Sequence, residues 1–600
     1  MLSVVERDFE YPNEAAPQAV LDQEPLAVLK FGSSVLRHIA DLASVAGEIY
    51  RQRRNGFRVI AVVSALGRET DRLFEEASHA CGGTSCRGIA ELVSLGEERT
   101  AALLGIACDR IGLCCTICRA EELGLKTVGG ELDADFAELR PAALKRKLEA
   151  YGVVIVPGFV GTNAMGERTL LGRGGSDFTA AILGGELGAR TIRLYKDVDG
   201  VFEADPAVDR NARKFDQIGY DDALEVARPL VQPKAVEFAA ARGLAIEVET
   251  IGSSSPTRIG ARCRLASAKP PPLRLRVALA GYGIVGQALA RRLQDDPHFE
   301  ISAILVRNLS RHRNVAPPVK LTNDPAAFAG TQADILVELL SCAQTGASLC
   351  CDKLEEGIPV VTASKRLVSE HFAELTRSAR AGGTEALYSG AAGGSAPLLE
   401  TIERAKRFGV VEEVSGILNG TVNYVLGRLA EGMALDAALA EARDAGFAEE
   451  DCEADVSGAD AAAKLRIAAY HAFGVFPQEI RISAERLDQE RAKAIVDSGE
   501  RWIQLSQVSS VNDKVRGSVS FVRAAATPIG RAGNEWNAAA IRLAGGRELT
   551  VHGRGAGGAA TAEAVLADLY DLLHRFPRPW GDERLPAVRQ APGRHRNGRD

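Results

Sequence analysis

Four stretches of the chain carry residues whose types and spacing could do chemistry. Lys30 follows the apolar run Leu26–Leu29 and leads into Gly32-Ser33-Ser34. A lysine at a strand end beside a Gly/Ser turn is placed to reach a phosphate. Leu171-Gly172-Arg173-Gly174-Gly175-Ser176-Asp177 precedes a helix-like run over 178–187. Its glycines let backbone N–H groups close on an anion, the helix start favours negative charge, and Arg173 offers a planar fork to a carboxylate. Asp177 can cap that helix or orient a lysine or Mg2+. Gly281-Tyr282-Gly283-Ile284-Val285-Gly286 ends an apolar run and precedes a helical segment, Gln287–Gln294. That is the strand–glycine–helix order of a dinucleotide-binding turn. Asp460 and Lys464 are spaced i, i+4 and share a helix face. An isolated pair of this kind is usually a surface ion pair. This one follows a glycine turn, holds alanines between its members and continues into Leu465, Ile467 and Ala468.

Other candidates are single residues placed by a neighbouring element. Glu97, in Gly96–Thr100, could read an amino group or be a solvated charge at the start of a helix over Ala101–Leu104. The strand Phe299–Val306 ends at Arg307-Asn308, with Arg311 and Arg313 following. A site specific for NAD usually meets a carboxylate there; guanidinium groups favour the 2′-phosphate of NADP, with NAD the second choice. Asp334–Leu340 reads as a strand with Ser341 at the cofactor end, and Ile358–Thr362 as one ending at Ala363-Ser364-Lys365. Cys114, Cys115 and Cys118 include a C-x-x-C but lack a second ligand pair, and read as buried thiols.

Six hundred residues demand roughly three globular units or more. A net charge of −7 argues against nucleic acid or an anionic membrane as partner. No apolar run approaches the roughly 18 residues of a membrane span, and the N-terminus has no secretory core. Eleven scattered cysteines suit a reducing cytoplasm. Strands at Leu26–Leu29 and Val59–Val63 flank a helix over Ile39–Arg54, which predicts an α/β sandwich. The expected order is a flexible lead (1–25), an αβα sandwich (26–265) and a linker stiffened by Pro270–Pro272 (266–274). A Rossmann domain (275–390) and an α+β domain (391–575) follow, the Rossmann core being completed near 551–573, and then a disordered tail (576–600).

KFGSS, SALGRETD, GEERTA, VPGFVG, LGRGGSD and DVDGVFEADP occur over residues 26–262 in the order and spacing of the aspartokinase catalytic domain. The resemblance implies phosphorylation of the aspartate β-carboxylate by ATP with Mg2+. It implies that Lys30 stabilises the transferring phosphoryl group and that Asp177 holds lysine and metal. Glu97, Arg173 and Ser34 would bind the amino acid, and Gly32, Gly174, Gly175, Ser176 and Asp197 would line the nucleotide site. The chain departs from the family pattern at Ser33, Ser34 and Val35 in place of the end of KFGGTS, at Lys196 in place of threonine, and at Ala207 in place of arginine. The family's GAKVLHP stands here as Ala227–Pro233, without that lysine.

The fingerprint together with TASK, GILNGT and D-x-x-G-x-D-A-A-x-K resembles homoserine dehydrogenase over about residues 274–573. The resemblance implies hydride exchange between NAD(P)H and aspartate semialdehyde, giving homoserine. Lys464 and Lys365 are then the catalytic lysines, supported by Asp460. Glu449, Asp455, Asn419, Gly420 and Thr421 hold the substrate, and Gly555 belongs to a loop that returns to the cofactor beside Gly281, Gly283, Ile284, Val285, Gly286, Arg307 and Ser341. Ser389 stands where the family has a glutamate that in some members helps bind a monovalent cation, so that site is expected to be weak or absent. No other metal site is expected beyond Mg2+ with ATP.

Together the two halves resemble bifunctional aspartokinase–homoserine dehydrogenases, and a homodimer or higher homo-oligomer is expected. Two alternatives stay open: a kinase fold reduced to a binding or scaffolding module, or a kinase acting on another small acid. The gap between Arg264 and Leu275 is too short for an ACT domain, and none is expected elsewhere. The usual feedback site for threonine or lysine is therefore expected to be missing.

Overall fold

A computed structural model of the chain describes residues 24–82, 88–209, 211–228, 230–265, 273–312, 317–445, 452–512, 514–531, 536–554 and 557–576. Nearly all of the proposed lead and tail, most of the proline linker, Arg313, Glu449 and Gly555 lie outside the described residues.

The first half is layered on a sheet whose middle is β1 (Leu26–Phe31), with β2 (Arg58–Val63) and β3 (Val153–Pro157) on one side and β4 (Thr191–Tyr195) and β5 (Ile246–Glu249) on the other. These five run parallel in register, Lys30 pairing with Val62 and Leu194. Val28, Ile60 and Val62 face one core, Leu29, Val59 and Val63 the other, as expected of strands covered on both faces. The covering helices include α1 (Leu42–Arg54), α2 (Ile89–Arg110) and α3 (Gly175–Glu186).

The second half begins with β6 (Leu275–Ala280), α4 (Ile284–Gln294) and β7 (Phe299–Leu305). With β8 (Ile335–Glu338) and β9 (Val360–Thr362) these strands form an all-parallel sheet in the order β7-β6-β8-β9, flanked by Leu321–Thr322 and Ala386–Leu387. Helix α5 (Lys365–Gly382) follows β9. The chain crosses to a second domain through the short helical turn Ser389–Ala392. There α6 (Leu398–Ala405), α7 (Gly420–Ala430) and α8 (Ala459–Phe473) pack with a sheet built from Val411–Ile417, Trp502–Val511, Lys514–Arg523, Trp536–Leu543 and Glu548–Arg554. The last helix, α9 (Gly558–Arg575), returns to the first domain and buries Val565, Leu566, Leu569 and Leu572 against Leu289, Leu293 and Val277.

Several boundaries differ from the sequence reading, two of them at candidate sites. Helix α4 starts at Ile284, not Gln287, because Gly283 caps it and Gly286 lies inside its first turn. A Cβ on Gly286 would stand 2.2 Å from the Gly281 carbonyl oxygen, so only glycine lets strand and helix meet so closely. Glu97 is mid-helix in α2 rather than at a helix start. Gly96 is accommodated there because a Cβ would stand 2.9 Å from that of Ala65.

The halves dock through side chains. Arg292 of α4 reaches Ser44 on α1 at 3.2 Å and Glu563 of α9 at 3.3 Å. The Arg51 guanidinium stacks 3.9 Å over the Tyr570 ring, and Ala567 of α9 is buried in the core around α1.

Candidate active sites

In the first half the candidate residues converge at the carboxyl ends of parallel strands, where α/β sheets bind ligands. Lys30 ends β1 and Lys196 follows β4, while Asp177 sits in the first turn of α3, capped by Gly174 at φ 77°. Lys30 Nζ lies 2.6 Å from Asp177 Oδ1 and Lys196 Nζ 2.9 Å from Oδ2. The Gln232 amide donates to the same Oδ2 at 3.3 Å. Both carboxylate oxygens are thus engaged, each by one lysine. Burial works to raise its pKa, but Lys196 and Lys30 outweigh it and hold the carboxyl at about 2. Burial lowers Lys30 to about 8, with Asp177 opposing and Lys196 adding to the fall. Gly32 leaves room above this lysine, since a Cβ there would stand 2.7 Å from Nζ. The Ser64 hydroxyl donates to Ser176 at 3.0 Å, and Ser34 is half-buried in the turn after β1. This glycine-edged cradle, with two lysines beside a helix start, fits a nucleotide triphosphate. Asp197 is exposed at its rim.

Glu97 is buried, and its Oε1 accepts from the Ala65 amide at 3.2 Å. Its Oε2 is buried without a hydrogen-bond partner among the described residues. Burial raises its pKa to about 8, against the Ala65 N–H. A buried carboxylate with one free oxygen fits an ammonium group. Thr70 stands 3.5 Å from Glu97, and its neighbour Asp71 accepts from Arg173 at 2.9 Å, which places the exposed Arg173 on the same side of the sheet ends.

In the second half the fingerprint forms a cradle that side chains would fill. Gly281 has φ 110° and a Cβ on it would stand 2.5 Å from the Leu339 carbonyl, while a Cβ on Gly283 would meet nothing within 4 Å. Gly558, at the start of α9, packs so closely on Ile284 that a Cβ on it would stand 2.3 Å from the Ile284 side chain. Val285 is half-buried behind the turn. Arg307 and Ser341 are exposed at the ends of β7 and β8, and no carboxylate stands at the end of β7. This geometry fits a dinucleotide.

Across the cleft, Asp460 of α8 pairs with Lys365 at the start of α5 and, at 2.8 Å, with Lys464 one turn on. Lys464 also donates to the Leu418 carbonyl at 2.8 Å. Asn419 caps α7, accepting from the Val422 amide at 2.9 Å, and donates to Asp455 at 2.9 Å. Gly420 and Thr421 are buried just behind it. Burial tends to raise Asp460, but Lys464 and Lys365 hold it at about 2, and Asp455 is raised by burial and then by Asp460. Lys365 belongs to the nucleotide-binding domain and Asp460 to the second, so the ion pair joins the two domains.

Sequence reasoning missed three residues. Lys196 was legible only as a departure from threonine, and Gln232 acts through its backbone. Glu338, fully buried on β8, accepts from Thr362 at 2.6 Å and the Leu340 amide at 2.7 Å; burial raises it to about 7 against both. An apolar strand ending in glutamate was the available signal.

Residues 25–247 match the amino acid kinase family, 281–389 the NAD binding domain of homoserine dehydrogenase, and 397–570 homoserine dehydrogenase. Aspartokinase of Thermus thermophilus is 35% identical over 234 residues, 38% of this chain and 58% of that protein. That of Mycobacterium tuberculosis is 34% identical over 235 residues, 38% and 56%. The chain thus spans just over half the length of these curated relatives. A homoserine dehydrogenase from Thiobacillus denitrificans is similar in structure at 29% identity, covering 51% of this chain and 76% of that one, with a TM-score of 0.46. A hyperthermophilic archaeal homoserine dehydrogenase in complex with NADPH is similar at 22% identity over 51% and 99%, with a TM-score of 0.44. Among the described residues no helix is long and apolar enough to cross a membrane.

Proposed function

We propose, for a chain that joins an amino acid kinase domain to the two domains of a homoserine dehydrogenase, two reactions: phosphorylation of aspartate to 4-aspartyl phosphate, and reduction of aspartate semialdehyde to homoserine. The observation that carries both is a buried aspartate gripped by two lysines in each half.

In the kinase half, Lys30 and Lys196 neutralise charge on the transferring phosphoryl group, and Asp177 fixes both. A carboxylate is already a nucleophile, so positioning and charge suffice and no general base is required. Glu97 takes the substrate ammonium, Arg173 its α-carboxylate, and Ser34 closes the turn over it. Gly32, Gly174, Gly175, Ser176 and Asp197 line the ATP side, and Mg2+ accompanies ATP. In the dehydrogenase half a bound nicotinamide supplies the hydride. Lys464 and Lys365 supply a proton or stabilise the developing alkoxide, Asp460 orients both, and Asp455, Asn419, Gly420 and Thr421 hold the substrate. Arg307 favours NADP over NAD. A kinase fold kept only as a scaffold is not favoured, since it would not need a buried lysine pair and an orphaned glutamate.

The product of the first site is not the substrate of the second, so a separate reductase must act between them. We place the chain in a reducing cytoplasm as a homo-oligomer. The test is to assay one purified chain for ATP-dependent aspartyl hydroxamate formation and for NADPH oxidation by aspartate semialdehyde. Both activities are expected; absence of either under saturating substrates sinks that half of the reading.

A further inference from the structure

Arg54, the last residue of α1, is buried and leaves the kinase half altogether. Its Nε donates to Glu400 of α6 at 2.9 Å, and its Nη2 donates to the Ser389 hydroxyl at 2.9 Å and to Asp568 of α9, and lies 3.2 Å from Asp571. The Ser389 amide donates to Asp568 at 3.0 Å, and its hydroxyl lies 2.5 Å from Glu400 and 2.8 Å from Asp568. Asp568 is fully buried and Glu400 mostly so.

The acceptors belong to different bodies. Asp568 rides on α9, whose other face is the core of the nucleotide-binding domain next to the fingerprint helix α4. Glu400 rides on α6, which packs through Leu398, Ile402 and Ala405 against Ala461, Leu465 and Ala468 of α8, the helix that carries Asp460 and Lys464. Ser389 opens the crossover between the two domains. A planar guanidinium can bond two carboxylates at fixed angles, which a single ammonium cannot.

We propose that Arg54 is a positioning residue for the dehydrogenase, supplied by the kinase half, which ties the nucleotide-binding domain to the substrate domain across their crossover. Hydride transfer requires reacting atoms held at contact distance, and a displacement of about 1 Å can cost about a hundredfold in rate. The kinase half then has a second task in this chain, to hold the geometry of the other active site. The proposal rests on the dehydrogenase reading above.

The test uses the full chain with Arg54→Ala, Arg54→Lys and the neutralised triple variant Arg54→Met/Glu400→Gln/Asp568→Asn. Arg54→Ala should lower the kcat of semialdehyde reduction by about tenfold to a hundredfold, with NADPH affinity by fluorescence unchanged. Millimolar guanidinium, well below denaturing concentrations, should restore much of that loss, and Arg54→Lys should restore little. If Arg54→Ala does not fold, the triple variant decides, because it leaves no buried charge unpaired; its kcat should also be low. Wild-type kcat in either folded variant, or no recovery with guanidinium in a folded Arg54→Ala chain, overturns the proposal. Failure of the wild-type chain to reduce the semialdehyde would sink the dehydrogenase reading instead. The tie is then judged by hydrogen exchange over residues 388–404, which should be about tenfold faster in the triple variant; unchanged exchange overturns it.

Discussion

The two lysine–aspartate–lysine clusters use the same three groups in different surroundings. Around Asp177, all three side chains are nearly closed to water, with exposures of 6% for Lys30 and 8% for Lys196. Around Asp460, Lys464 is buried but Lys365 is 43% exposed. The first cluster sits on strand ends and a helix start within one domain; the second joins two domains. The difference matches the chemistry proposed for each. Phosphoryl transfer needs fixed positive charge in a dry site, whereas carbonyl reduction needs a proton that can be replaced from solvent.

Removing the aspartates tests that difference most strongly. Asp177→Asn leaves two lysines buried without a counter-charge and should cost about 3–5 kcal/mol of stability. Asp460→Asn should cost distinctly less, because Lys365 can turn to water. Denaturant unfolding of the two variants checks this, and equal losses would erase the distinction. Next in size is Glu97→Gln, which should raise the KM for aspartate by about 10–100-fold, the worth of one hydrogen bond to a charged group, with little change in the KM for ATP. Wild-type Glu97, held near 8 by burial, should release a proton when aspartate binds at pH 7. Calorimetry in buffers of different ionisation heat would detect that proton, and the variant should not release it.

Acid should weaken both clusters alike. Each aspartate is held at about 2 against an unfolded value of 3.8. A depressed carboxyl stabilises the fold above its unfolded pKa, and that stability is lost as pH falls from about 4 to about 2. The loss is on the order of 2 kcal/mol per site, readable as a fall in unfolding midpoint that the asparagine variants lack. The smallest effect separates the clusters again. Kinase rate should fall as Lys30 loses its charge above about pH 8. Lys196 helps to lower that pKa, so Lys196→Thr should shift the alkaline limb upward. An unmoved limb would show that another group sets it.

Much of each site was legible because its signals are local. Lys30, Asp177, the fingerprint glycines, Asn419, Asp460 and Lys464 all sit at strand ends, turns or the first two turns of a helix, which a short stretch of sequence defines. Lys196 and Gln232 were not, because their roles exist only where strands far apart in sequence end side by side. Glu97 was misplaced because its helix was read over Ala101–Leu104, when it begins at Ile89 and runs through Gly96, which packs closely on Ala65. Arg54 carried no signal beyond closing an amphipathic helix, since its partners Glu400 and Asp568 lie 346 and 514 residues further on.

The most direct test of two separate sites in one chain is to assay both reactions in full-length Lys30→Ala and Lys464→Ala. Lys30→Ala should lose aspartyl phosphate formation and keep semialdehyde reduction, and Lys464→Ala should do the reverse while still binding NADPH. A variant that retains its own reaction, or loses both while folded, would contradict the account.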